Sequence, residues 1–156
     1  MKVKNFMGKL IVIDMYSCKE NAINDIEFVK NSLSEACAKF GMDLEQLVCN
    51  EDAEGKEYSV VAICKRGHVT LHVYKELGFV TADVFSCNEG AQPADLSRQL
   101  RIFLGTDKAK ITLLDRGDFG SVVDMKPRRN SKIKLGRHTK NLGNKLKNMI
   151  LKPRSM

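Results

Sequence analysis

No apolar run in this sequence is long enough to span a membrane as a helix. The charged start MKVK leads into no signal peptide of ordinary form. Five cysteines, Cys18, Cys37, Cys49, Cys64 and Cys87, are odd in number and irregularly spaced, with no C-x-x-C pair. Zinc or dithiol chemistry is therefore not expected, and reduced thiols point to a cytoplasmic protein. No internal repeat is visible. Residues 126–156 lack Asp, Glu and every aromatic residue, yet hold eleven Lys or Arg. Without stacking rings, that segment is not expected to read single-stranded nucleic acid by sequence.

What is present divides the 156 residues in two. The first 125 hold fifteen basic and nineteen acidic residues, a net of −4, against +7 for the whole. Residues 1–125 are thus expected to form one domain large enough for a core, and 126–156 a basic C-terminal extension. Residues 126–131 read as a linker. Leu142, Leu146, Met149 and Ile150 recur at helical spacing, which predicts a short amphipathic helix over 139–151, weakened by Gly143. The extension is either a solubilising appendage or an arm for an anionic partner, such as nucleic acid, a phosphorylated ligand or an acidic surface.

Within the domain, residues 9–17 (KLIVIDMYS) read as a strand. Ile23, Ile26, Val29, Leu33, Ala36, Cys37 and Phe40 recur at helical spacing and Gly41 is placed to end that helix. Residues 44–49 and 58–64 are predicted strands around the polar turn 50–56. Pro93 fits the first turn of a second helix, whose core face is Leu96, Leu100, Phe103 and Leu104. Residues 109–114 are a last strand. The order β-α-β-β-β-β-α-β predicts an α+β sandwich: an antiparallel β-sheet with two helices packed on one face.

Residues 64–87, CKRGHVTLHVYKELGFVTADVFSC, carry the chemistry. Alternation makes two strands, 69–74 and 79–85, joined by the turn 75–78. Gly78 suits a turn position of positive φ. His68, Thr70 and His72 fall on one face, Val69, Leu71 and Val73 on the other. The pattern G-H-V-T-L-H-V-Y-K-E-L-G-F-x-x-x-D-V-F-S-C resembles the small bacterial and archaeal S-adenosylmethionine decarboxylases, over roughly residues 8 to 120. Their motif runs E-S-H-x-[ST]-I-H-T-[WY]-P-E-x-G and continues to D-x-[FY]-[ST]-C.

The resemblance implies the layout just given, a homo-oligomer (commonly a dimer) with sites near the subunit interface, and a pyruvoyl cofactor made by self-cleavage at Glu-Ser. Here that dipeptide is Arg66-Gly67. A pyruvoyl group needs a side-chain nucleophile on the second residue, which glycine lacks, and alternation does not bring Thr70 or Cys64 to the bond. No cofactor is therefore expected. By the same resemblance Ser59 and His72 match residues that assist processing, His68 matches another motif histidine, and Cys87 matches the catalytic proton donor. Glu76 matches the carboxylate that contacts the nucleoside end of S-adenosylmethionine, and Tyr74 holds a position often aromatic. A carboxylate suits ribose hydroxyls and a sulfonium cation, and a tyrosine face suits adenine. Each also has an ordinary reading: a strand histidine bonded to a neighbour, a strand-end thiol acting as a small hydrophobe, a turn glutamate in water. The family's adenine-stacking aromatic near residues 51–53 has no counterpart.

These residues predict binding of S-adenosylmethionine or a nucleotide derived from it. If catalytic, the protein is a lyase that cleaves the ligand without a pyruvoyl group, because a sulfonium carries its own leaving group whereas decarboxylation needs an electron sink. The alternatives are a catalytically dead paralogue regulating a true decarboxylase in polyamine synthesis, and an anion- or nucleic-acid-binding adaptor acting through the extension.

Overall fold

The computed structural model describes residues 7–117. The expected linker, the helix over 139–151 and the boundary near residue 125 lie outside the described residues. The β-branched run Ile11-Val12-Ile13 fills the middle of the first strand, β1 (Gly8–Tyr16), and Ile11, Ile13 and Met15 turn into the core. A short α1 (Glu20–Ile23) and the longer α2 (Ile26–Lys39) follow. The sequence predicts one helix from Ile23 to Phe40, whereas the chain breaks at residues 24–25. The Asp25 carboxylate accepts the Phe28 N–H at 2.9 Å and starts α2 afresh. The break leaves Ile23 fully buried, its carbonyl accepting the Tyr58 hydroxyl at 2.7 Å.

β2 (Leu44–Glu51), β3 (Glu57–Cys64), β4 (Gly67–Tyr74) and β5 (Phe79–Ser86) form a meander. α3 (Pro93–Leu104) then leads to β6 (Lys108–Arg116). The sheet order is β2-β3-β4-β5-β1-β6, with every neighbouring pair antiparallel. The fold is the expected α+β sandwich, with a short α1 added. β1 sits between β5 and β6, so the two connections through helices both return over the same face.

Alternation decides which residues face that helical layer. Val60, Ala62, Val69, Leu71, Val73, Val80, Ala82 and Val84 are buried there against Val29, Leu33, Leu96, Leu100 and Leu104. The opposite face is left open. It carries Ser59, Val61 and Ile63 from β3, His68, Thr70 and His72 from β4, and Thr81, Asp83 and Phe85 from β5. The two faces meet different solvents, and that explains why one is aliphatic and the other mixed.

Between β4 and β5 the chain makes a 3-10 turn at Lys75–Leu77, closed by Gly78 at φ 57°. The left-handed conformation is one that glycine adopts without a steric penalty. Lys75 pins this turn to the β2–β3 hairpin: its ammonium lies 2.9 Å from a Glu51 carboxylate oxygen, donates to the Gly55 carbonyl at 2.9 Å and caps the Tyr58 ring.

Candidate functional site

β4 spreads its motif residues over two faces and two ends of the sheet. In mid-strand, on the open face, Ser59 and His72 are directly paired across β3 and β4, and a 2.7 Å hydrogen bond joins Ser59 Oγ to His72 Nδ1. The sequence placed both residues in one constellation, and the register explains their contact. Beside them the Thr70 hydroxyl points to Asp83 at 3.5 Å, and the His68 ring packs against Phe85 at 5.4 Å.

At the turn end, Tyr74 stacks on Phe79 at 5.8 Å, and Tyr16 closes on the other side of Phe79 at 5.1 Å. Three rings from β4, β5 and β1 thus form a row. Only Tyr74 was picked out by sequence; the other two emerge because β1 inserts beside β5. Glu76 lies just beyond, its side chain 69% exposed and one oxygen 3.7 Å from Lys56 Nζ. That ammonium is also held by Glu54 at 2.8 Å. In water such contacts contribute little to stability, so the Glu76 carboxylate is open to a ligand.

The other end of β4 holds Arg66, Gly67 and Cys87. Lys65-Arg66 is a two-residue connection between β3 and β4, with Arg66 at φ 61°, and its carbonyl accepts the Cys87 N–H at 2.8 Å. Gly67 faces the helical layer between Cys64 and Ser86. A Cβ built on Gly67 would stand 2.4 Å from the Phe85 carbonyl oxygen, 3.2 Å from Ser86 Cα and 3.3 Å from the Met42 methyl. The first distance is far inside contact, against rigid backbone. Cys87 Sγ lies close over Gly8, where a Cβ would meet it at 2.8 Å.

A cavity of about 570 Å³ opens at this end. Cys87, Arg66, Lys9, Asn88 and Glu89 line it, with the first turn of α3 and Leu113 as further walls. Asn88 is itself well held: its amide donates to the Gly41 carbonyl at 3.3 Å and its oxygen accepts the Gly90 N–H at 3.2 Å. Of the residues predicted for the site, only Cys87 reaches this cavity. Ser59, His72 and His68 lie on the open face, and Tyr74 and Glu76 at the far end. Seven residue steps of β4 separate the two ends, roughly 23 Å at about 3.3 Å each.

The remaining thiols are quieter. Burial pushes Cys37 up to about 12, with neighbouring Cys64 adding to the effect. Burial also raises Cys64, Cys18 and Cys49. A thiol held protonated is a poor nucleophile. Among the described residues no group of three or more His, Cys, Asp or Glu is placed to hold a metal ion. None of their helices is long and apolar enough to cross a membrane.

This antiparallel sandwich, with a motif hairpin at its centre, defines the class. The family model of S-adenosylmethionine decarboxylase matches residues 9–117. The chain belongs to that family. It is 30% identical over 113 residues to the S-adenosylmethionine decarboxylase proenzyme of Methanococcus vannielii, covering 71% of this chain and 90% of the relative. The proenzyme of Clostridium tetani is 27% identical over 122 residues, covering 78% and 96%. The crystal structure of the adenosylmethionine decarboxylase from Aquifex aeolicus superposes with a TM-score of 0.66 over 72% of this chain and 92% of that one, at 18% identity, a likeness of fold.

Proposed function

We propose that this protein is a member of the family that does not process itself, binds S-adenosylmethionine or a nucleotide derived from it, and cleaves that ligand without a pyruvoyl group. The observation that carries the reading is Gly67. Self-processing needs a hydroxyl or thiol on the residue after the scissile bond, to attack the preceding carbonyl. Gly67 has no side chain, and the space a Cβ would need is filled by the Phe85 carbonyl 2.4 Å away. The pyruvoyl group therefore does not fit the residues present.

What the chain retains suits a sulfonium. Glu76 offers an exposed carboxylate to the cation and the ribose hydroxyls. The row Tyr16–Phe79–Tyr74 offers a ring face. The thioether of an S-adenosyl sulfonium departs neutral, so breaking its bond to the amino-acid chain needs no electron sink. An elimination gives methylthioadenosine, an unsaturated amino acid and a proton. A displacement by the ligand's own carboxylate gives methylthioadenosine and homoserine lactone. In either case the protein's task is to orient the ligand, exclude water and, for elimination, accept one proton. Cys87 and the Ser59–His72 pair are the candidates for that proton.

Glu76 and Cys87 stand at opposite ends of β4, too far apart to hold one reacting centre together. We read the site as completed by a second copy of the chain, laid against the open sheet face. Val48, Ile63 and Leu114 are each 40–45% exposed on that face. Calorimetry with S-adenosylmethionine tests the assignment of Glu76. The wild type should bind, and Glu76→Gln should bind more than roughly tenfold more weakly, about 1.4 kcal/mol. Equal affinity in the two proteins removes Glu76 from the site.

A further inference from the structure

We propose that Arg66 anchors the carboxylate of an α-amino-acid head group in the cavity that Cys87 lines. The proposal rests on the ligand reading above and deepens it, since it assigns the end of the ligand that Glu76 does not reach.

Arg66 is fixed in position by its neighbours: its carbonyl is bonded to the Cys87 N–H at 2.8 Å, and the Lys65 N–H before it is bonded to the Asp43 carbonyl at 2.9 Å. Arg66 is therefore held on the cavity wall beside Cys87. Arg66 sits at φ 61°, a region in which a residue with a Cβ is disfavoured by about 1 kcal/mol and glycine is not. The turn alone is better served by glycine, so the side chain at this position has to be explained by something other than the turn.

Among the described residues the Arg66 guanidinium makes no ion pair. Asp95, an acid that shares the cavity wall, is engaged by Arg98 at 2.8 Å. A guanidinium presents parallel donors that match a carboxylate in two-point fashion. The wall carries both signs, Lys9 and Arg66 with Glu89 and Asp95, the last paired to Arg98. A lining of mixed sign suits a zwitterion better than a doubly charged phosphate. The volume, about 570 Å³, is that of a small-molecule site.

An anchored carboxylate also bears on the chemistry. Decarboxylation drains charge from the carboxylate in its transition state, so an arginine paired to the ground-state anion opposes it. Arg66 thus points the bound ligand toward carbon–sulfur cleavage and away from loss of carbon dioxide.

The test compares S-adenosylmethionine with decarboxylated S-adenosylmethionine, which keeps the adenosine and the sulfonium and lacks only the carboxylate. Calorimetry on the full chain should show the wild type preferring the carboxylate-bearing ligand at least tenfold. Arg66→Gln and Arg66→Gly should bring the two affinities within about twofold of each other, while Arg66→Lys keeps part of the preference. Arg66→Gly relieves the left-handed backbone, so its melting temperature should equal or exceed the wild type's, and misfolding cannot account for its loss. A wild type that binds both ligands equally, or an Arg66→Gly variant that keeps the full preference, overturns the anchor and leaves the ligand reading standing. A wild type that binds neither overturns both.

Discussion

At the level of single residues, the decisive position is one with no side chain. Gly67 is not a neutral gap in a motif, because β4 and β5 have closed over it: the Phe85 carbonyl occupies the place of its Cβ. Restoring a serine should therefore not restore self-cleavage. Gly67→Ser is expected to lose about 1–3 kcal/mol of stability through overpacking. Its intact mass should show a single uncleaved chain, as should the wild type's, near 17.5 kDa. Two fragments from the wild type would sink the non-processing reading, and two from the variant would show that β4 and β5 part more easily than their packing implies. At this scale the sequence was informative about identity and silent about environment. It singled out Ser59, His72, Tyr74, Glu76 and Cys87, and it showed that Gly67 lacks a nucleophile. That Arg66 lines a cavity, and that Gly67 faces backbone 2.4 Å away, depends on β5 lying against β4.

At the level of elements, alternation made the hairpin legible. Val69, Leu71 and Val73 are buried and His68, Thr70 and His72 lie on the open face, as the period-two pattern requires. Helical spacing likewise located α2 and α3, since their apolar stripes had to meet the sheet. The break at residues 24–25 was hidden because Ile23 and Ile26 keep the apolar spacing across it. Only the Asp25 cap signals a new start, and such a cap is read easily only after the helix is known. Strand order was not legible either, because nothing local in β1 says that it will lie between β5 and β6. Buried groups of α2 and β3 give this layer a pH response. Cys37 on α2 is pushed up to about 12, so it stays neutral in the fold while the unfolded thiol ionises near 9. Tyr58 on β3 is raised in the same direction by burial. Their contribution is complete below pH 9 and is lost as the pH climbs toward 12. The melting temperature should hardly change up to pH 9 and fall above it, and Cys37→Ala should flatten that fall. A wild-type curve that stays level to pH 11 would show that these groups open to solvent before the fold melts.

At the level of the whole molecule, the charge asymmetry makes the extension and the domain separable by experiment. Eleven positive charges in residues 126–156 stand against a domain of net −4. We expect truncation after Met125 to leave the domain folded, because residues 7–117 by themselves supply a continuous hydrophobic core. If the extension serves an anionic ligand or partner, truncation should abolish binding to a nucleotide, a nucleic acid or an acidic protein that weakens steeply with salt. A drop of many degrees in melting temperature, with binding unchanged, would make the extension structural instead. The reaction itself is decided by its products. The intact, uncleaved chain is incubated with S-adenosylmethionine and the products are separated by chromatography. Methylthioadenosine is expected together with an unsaturated amino acid or homoserine lactone, and no decarboxylated S-adenosylmethionine. Decarboxylated S-adenosylmethionine formed by the uncleaved chain, or the absence of any product, would contradict the proposed carbon–sulfur cleavage.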